Sequence, residues 1–273
     1  MTIPIKDIDN DFIISQSFLG YQYRKVRKQL YQADADIPKK LLNLYFSNPD
    51  RADLDYLKDV FIKKYIKNEC ALENVHSKEE KEGMKLMYEY MHTTNDEFSI
   101  YSILDYHRLL YAKTPYAEYG GHFRRDPAYL NNATIELCNW QYVWSYVKEC
   151  ELPVRDLIKL GKKIKNNTSF DKLIDYIEKC LIIKCELIKI HPFSDGNGRT
   201  IRCFLNKLFE IAGIPPTYIK ETERNEYHIA MEAAIGESNY QPIIQFYYYK
   251  ICDSIVELDI NERLRDEKVK VNS

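Results

Sequence analysis

The side chains best suited to chemistry lie in one short run, His191-Pro-Phe-Ser-Asp-Gly-Asn-Gly-Arg-Thr-Ile-Arg202. Gly196, Asn197 and Gly198 form a turn whose small residues let the backbone approach a ligand closely. The free N–H groups of such a turn, opening a helix, make an anion site. Arg199 and Arg202 are three residues apart, so they share one face of that helix near its positive end. Two guanidiniums placed there repel each other unless an anion sits between them, and a polyphosphate would satisfy them. Asp195 adds a carboxylate beside the cradle, and Mg²⁺ commonly takes one or two carboxylates together with substrate phosphates and water. His191, at the edge of the loop, is the residue type best suited to take a proton from a hydroxyl near neutral pH. Phosphate cradle, metal carboxylate, charge clamp and general base together describe a site for phosphoryl or nucleotidyl transfer.

Each part alone has a plainer reading. A histidine at a helix end is often a cap, and Gly-Asn-Gly is an ordinary turn. Their arrival together in one segment carries the functional reading. The elements around the segment must hold it. Asp171 to Ile190 is apolar almost all round in its second half and predicts a buried central helix. Thr200 to Ala212 carries an amphipathic stripe (Ile201, Phe204, Leu205, Leu208, Phe209) that stops at Gly213, with Pro215-Pro216 beyond. Upstream, helical spacing predicts helices over about residues 11–33, 37–47 and 51–72. Ser77-Lys-Glu-Glu80 has the form of a capping box, so a helix is expected from Lys78 through Met84, Met87 and Met91. Further helices are expected from Phe98 to Leu110, Trp140 to Val147, Pro153 to Ile164, Tyr227 to Gly236 and Ile243 to Leu258, with a frayed charged tail from Asn261. The one strand signal is Ala128 to Leu130 and Thr134 to Leu137 flanking Asn131-Asn132, a hairpin turn. The fold class is all-α with a small β-hairpin.

Composition excludes several classes. The 273 residues carry a formal net charge of −2, against the basic surplus of a sequence-independent nucleic-acid binder. The cluster Arg24, Lys25, Arg27 and Lys28 reads as a solvated helix face. No two of the six histidines lie three to five residues apart, so zinc-ligand spacing is missing. The seven cysteines include no CxxC pair, and the apolar run around Cys180 to Ile190 is broken by Lys184, Glu186 and Lys189. These features predict a cytosolic protein with reduced thiols, no secretory signal and no membrane span. Export by a route without a cleavable signal is the alternative.

The run from His191 to Arg202 resembles the motif of the Fic family, His-x-Phe-x-(Asp/Glu)-Gly-Asn-Gly-Arg-x-x-Arg, at every defined position. A looser likeness extends from about Asn68 to Tyr249. Gly121-His-Phe-Arg124 resembles the family's segment before its target-binding flap, and the hairpin near Tyr129 to Leu137 resembles the flap. The resemblance implies a Fic-fold helical bundle that transfers AMP from ATP, with Mg²⁺, to a Ser, Thr or Tyr hydroxyl of a protein, itself included. It implies His191 as base and Asp195 as metal ligand. Gly196, Asn197 and Gly198 would bind the phosphates, with Asn197 near the α-phosphate, and Arg199 and Arg202 would hold the β/γ end. Phe193 would anchor the loop, and the flap residues Tyr129 and Leu130 would pair with the target as a strand does.

The resemblance also implies an inhibitory glutamate. Glu69-Cys-Ala-Leu-Glu73-Asn74 is similar to the family's Ser/Thr-x-x-x-Glu-Gly/Asn segment, in which the glutamate pairs with the second motif arginine, here Arg202. Glu69 stands where Ser or Thr is expected, which predicts a weaker helix or docking and partial inhibition. The plainer alternative makes Glu73 a solvated surface charge. The implied organisation is an N-terminal helical region at 1–67, a Fic domain at 68–260 and a tail at 261–273. Removal of AMP, transfer of another phosphate-containing group, and an inactive partner- or DNA-binding regulator stay open as alternatives, as does homo-oligomerisation.

Overall fold

A computed structural model describes residues 46–47, 58–93, 98–130, 135–166 and 169–271. The expected helix at about 11–33 with its basic cluster, and most of the one at 37–47, lie outside these residues. The described elements are helices α1 (Lys58–Glu73), α2 (Lys78–Thr93), α3 (Ser102–Tyr111), α4 (Val143–Glu149), α5 (Glu151–Asn166), α6 (Phe170–Ile190), α7 (Asn197–Ile211), α8 (Arg224–Glu237) and α9 (Gln241–Val271), with short 3₁₀ turns between some of them.

Helix α6 is the axis of the bundle. From Tyr176 to Leu187 every residue is buried, charged ones included. Burying a charge is costly unless it is paired. Lys184 Nζ is accordingly 3.0 Å from the Tyr227 hydroxyl and lies over the Tyr227 and Tyr247 rings. Glu178 accepts from the Tyr248 hydroxyl at 2.7 Å, and Glu186 accepts from the Tyr240 hydroxyl. Helix α7 packs along α6, with α5, α3 and α2 on its other sides, and α8 and α9 close the α6 flank. The amphipathic stripe of α7 is fully inside: Ile201, Phe204, Leu208 and Phe209 are buried. Gly213 ends that helix at φ +73°, with the Ile214 N–H bonded back to the Phe209 carbonyl at 2.9 Å, as a left-handed glycine cap does.

Ser77 caps α2, accepting the Glu80 N–H at 3.0 Å. Helix α1 ends in a left-handed Asn74 (φ +54°), which turns the chain into α2. Arg224 at the start of α8 donates to the Ala71 carbonyl and to Asn74 Oδ1, pinning this α1–α2 corner.

Two expectations change. The charged segment from Asn261 does not fray; α9 continues through Val271. No strand occurs among the described residues: 127–130 and 135–139 are irregular, and the turn at 131–134 lies outside them. A lone two-stranded hairpin is marginal in water. On either side of the segment the backbone is tied to the end of α6 and the residues after it, Cys138 N–H to Lys189 O at 3.3 Å and Arg124 N–H to Pro192 O at 2.9 Å. Among the described residues no helix is long and apolar enough to cross a membrane.

Candidate active site

His191 is the residue at which α6 stops. Its left-handed backbone (φ +52°, ψ +64°) turns the chain away from the helix axis, and its N–H still bonds Leu187 O at 3.0 Å. The conformation is uncommon for a residue with a side chain and costs strain unless the surroundings hold it. Arg124 does the holding. Its Nε donates to His191 O at 2.7 Å, Nη1 to Asp126 O at 2.9 Å, and Nη2 to Cys138 O at 2.5 Å. One buried guanidinium thus ties both described ends of the segment expected as the flap to the backbone of His191. The ring Nδ1 faces the Ile188 carbonyl at 3.3 Å, so that nitrogen carries the proton and Nε2 keeps its lone pair. Burial lowers the ring's pKa to about 4, so the imidazole is neutral at pH 7.

The loop closes on itself through Asn197. Its side-chain oxygen accepts from Phe193 N–H at 2.9 Å and its amide donates to Phe193 O at 2.7 Å. The Asn197 side chain therefore holds the shape of the loop. Gly196 adopts φ +71° and opens α7. Phe193 is buried and stacks on His107 with centroids 3.9 Å apart and rings 4° from parallel.

Asp195 points outward; its side chain is 79% exposed. Oδ1 accepts from Gly196 N–H at 2.7 Å, and Oδ2 from the Tyr111 hydroxyl at 2.8 Å. Partial burial works against the charged form, but Tyr111, Arg199 and the Gly196 N–H together hold the carboxyl below its ordinary pKa. Among the described residues no group of three or more His, Cys, Asp or Glu could cage a metal. A single ionised, outward carboxylate next to helix N–H groups suits Mg²⁺, which completes its shell with phosphate and water, and does not suit a structural zinc.

The two arginines are not empty. Arg202 holds Glu69 with Nε at 2.8 Å and Nη2 at 2.5 Å, and its Nη2 also meets Glu73. Arg199 Nη1 pairs with Glu80, while Nη2 bonds the Tyr111 hydroxyl at 3.1 Å and Asp195 at 3.4 Å. Both guanidiniums are nearly inaccessible, each covered in part by its carboxylate partners. Glu73 lies against the cradle itself: a Cβ on Gly198 would stand 2.6 Å from Glu73 Oε1 and 2.8 Å from Arg202 Nη1. Burial disfavours the Glu73 carboxylate, yet Arg202 outweighs it and the pKa falls below normal. For the fully buried Glu69, burial prevails and the pKa rises.

Glu73 is therefore an Arg202 partner and not simply a solvated charge. Where a Ser or Thr was expected, the Glu69 carboxylate is wholly buried and makes a two-point contact with Arg202, which joins α1 to α7. Sequence reasoning missed Glu80 as an Arg199 partner. The capping-box pattern accounted for it, and pairing over such a sequence distance leaves no local trace. It also missed Arg124 as the residue that holds His191, and His107. Tyr129 is 84% exposed and Leu130 is half-buried, both away from the loop's contacts described above.

The Fic/DOC family pattern matches residues 97–209, the stretch that contains α3, α6, this loop and most of α7. It is 29% identical over 169 residues to a protein adenylyltransferase Fic of Drosophila willistoni, covering 60% of this chain and 30% of that protein. It is 31% identical over 140 residues to the protein adenylyltransferase fic-1 of Caenorhabditis elegans, covering 51% and 25%. The chain spans less than a third of the length of these relatives. The fold is that of Fic-1 (residues 134–508) from C. elegans, with a TM-score of 0.63, 21% identity, and 89% of this chain and 74% of that one covered. A Fic domain containing signaling protein from Bacteroides thetaiotaomicron matches with a TM-score of 0.57 and 17% identity, over 85% and 95%.

Proposed function

We infer that this chain is a protein adenylyltransferase that moves AMP from ATP to a Ser, Thr or Tyr hydroxyl of a protein. The observation that carries the reading is a neutral His191 with a free Nε2 on the same short loop as a glycine-lined helix N-terminus, two arginines and an outward Asp195. The Fic/DOC match and the relatives named adenylyltransferases support it. His191 Nε2 takes the hydroxyl proton as that oxygen bonds to the α-phosphorus. The bond from the α-phosphorus to the bridging oxygen breaks, and pyrophosphate leaves with the electron pair. The N–H groups at the start of α7 face the phosphates, and Arg199 and Arg202 hold the β/γ end. Asp195 would hold Mg²⁺, which neutralises phosphate charge when bound. Tyr129 and Leu130, on the exposed flap segment, would present main chain to the target. The catalytic unit spans residues 68–260.

Glu73 restrains this activity. Its carboxylate lies over Gly198 and on Arg202, where a terminal phosphate would have to bind. Incubating the wild type, His191→Ala and Glu73→Gly with Mg²⁺ and ATP, with and without a cell lysate, and reading protein mass tests both statements. A gain of one AMP that is strongest in Glu73→Gly and missing in His191→Ala is expected. Transfer by His191→Ala at the wild-type rate would overturn the base assignment.

A further inference from the structure

We propose that His107 is a positioning residue that sets the distance between the base and the metal carboxylate. The inference rests on the reading of the site given above. His107 lies on α3, and both of its ring nitrogens are engaged. Nδ1 accepts the Gly121 N–H at 2.9 Å, so it has no proton; Nε2 therefore carries one and donates to the Asp195 carbonyl at 3.0 Å. The ring is locked flat on Phe193 and edge-on to Tyr111, at 3.9 Å and 4.9 Å between centroids. Tyr111 is one helical turn further along the same face and donates to the Asp195 carboxylate at 2.8 Å. One helix face thus grips Asp195 twice, by its main chain and by its side chain.

The other side of the ring carries the grip to His191. Gly121, at φ +80°, is followed within three residues by Arg124, whose Nε holds the His191 carbonyl at 2.7 Å. A chain of hydrogen bonds and a short stretch of backbone run from Asp195 through His107 and Gly121 to Arg124 and His191. The loop from His191 to Asp195 covers the same span through the chain, so the two paths close a ring, braced across by the Arg124 N–H on Pro192 O and by Phe193 on the His107 ring. The ring fixes how far the base stands from the metal carboxylate. A histidine can serve both ends at once because its two nitrogens are a donor and an acceptor at different edges of one rigid ring.

Glutamine and asparagine separate the two bonds. The glutamine amide reaches the Nε2 position and can donate to Asp195; the asparagine oxygen reaches the Nδ1 position and can accept from Gly121. In a Glu73→Gly parent each substitution opens the ring, so His107→Gln and His107→Asn are both expected to lose about 10²-fold in kcat, the scale of a misplacement of about 1 Å. The KM for ATP should move little in either. Amide hydrogen exchange in nucleotide-free protein gives a readout that needs no activity: peptides covering 193–198 should exchange faster than the parent's in His107→Asn, which loses the Asp195 bond, and peptides covering 119–124 should exchange faster in His107→Gln, which loses the Gly121 bond. Exchange at the parent's rate in both variants, a kcat within a few-fold of the parent's in either, or a loss confined to KM overturns the proposal. If the Glu73→Gly parent transfers no AMP, the functional reading fails instead, and the exchange comparison still decides the role of His107.

Discussion

At the scale of single residues, the protonation state of His191 decides whether the loop can act. Burial holds its pKa near 4, below the 6.5 of a free imidazole. The base is then competent throughout the neutral range. The acid limb of kcat/KM in the Glu73→Gly protein should fall well below pH 6.5, and a limb centred at 6.5 in rate measurements would contradict this environment. His191→Ala should lose about 10²–10⁴-fold in rate. Gly198 is the other single-residue constraint. A methyl group there meets Glu73 and Arg202 within 3 Å, on the side where a phosphate must lie. Gly198→Ala should therefore cut transfer even when Glu73 is removed, and nucleotide titration of that double variant should show weakened ATP binding.

Among the helices, the α1–α2 corner acts as a unit. Glu69 and Glu73, one turn apart on α1, and Glu80 in the first turn of α2 all reach α7. Glu69 is the structural member of the set, because it is wholly buried and makes the two-point contact, and without it Arg202 keeps only the partly exposed Glu73. Glu69→Ala should cost about 3–5 kcal/mol of stability, seen as a clear drop in melting temperature. Glu73→Gly should cost far less, since Glu73 is partly exposed and Arg202 keeps Glu69. If both variants melt alike, the division of labour between the two carboxylates is wrong. The two positions should also separate in function: Glu73→Gly is expected to raise labelling, whereas the stability loss in Glu69→Ala should accompany a loosened α1.

For the molecule as a whole, pH should act on stability through the two buried imidazoles. His107 and His191 both have folded pKa values near 4 against 6.5 for the free side chain. Between those values the unfolded chain binds more protons, so stability rises with pH over that window. The contribution is fully present above pH 6.5 and is lost progressively as pH falls towards 4. Melting curves from pH 7 down to 5 should show a fall that is shallower in His107→Gln; an identical slope would mean that His107 is not buried neutral.

What could be read without coordinates was whatever is local. The helix periodicities of α6 and α7, the Ser77 cap, the Gly213 stop and the whole loop from His191 to Arg202 follow from neighbours within a turn or two, where residue type and spacing dictate geometry. The hairpin signal at Asn131-Asn132 has no strand beside it among the described residues, because turn propensity alone does not supply the cross-strand bonds that make a ladder. Glu69 shows the same limit. Read by position it was a missing Ser or Thr; in the fold it is a buried carboxylate on Arg202. The amino-acid sequence by itself determined the chemistry on offer, because a phosphate cradle, a base and a carboxylate fit in one contiguous loop. Only the tertiary structure decided how that chemistry is held and restrained. Glu69, Glu73 and Glu80 lie more than a hundred residues from the arginines they meet, and Arg124 and His107 lie more than sixty from the loop they grip. Pairing over such separations depends on packed helices and not on any local preference.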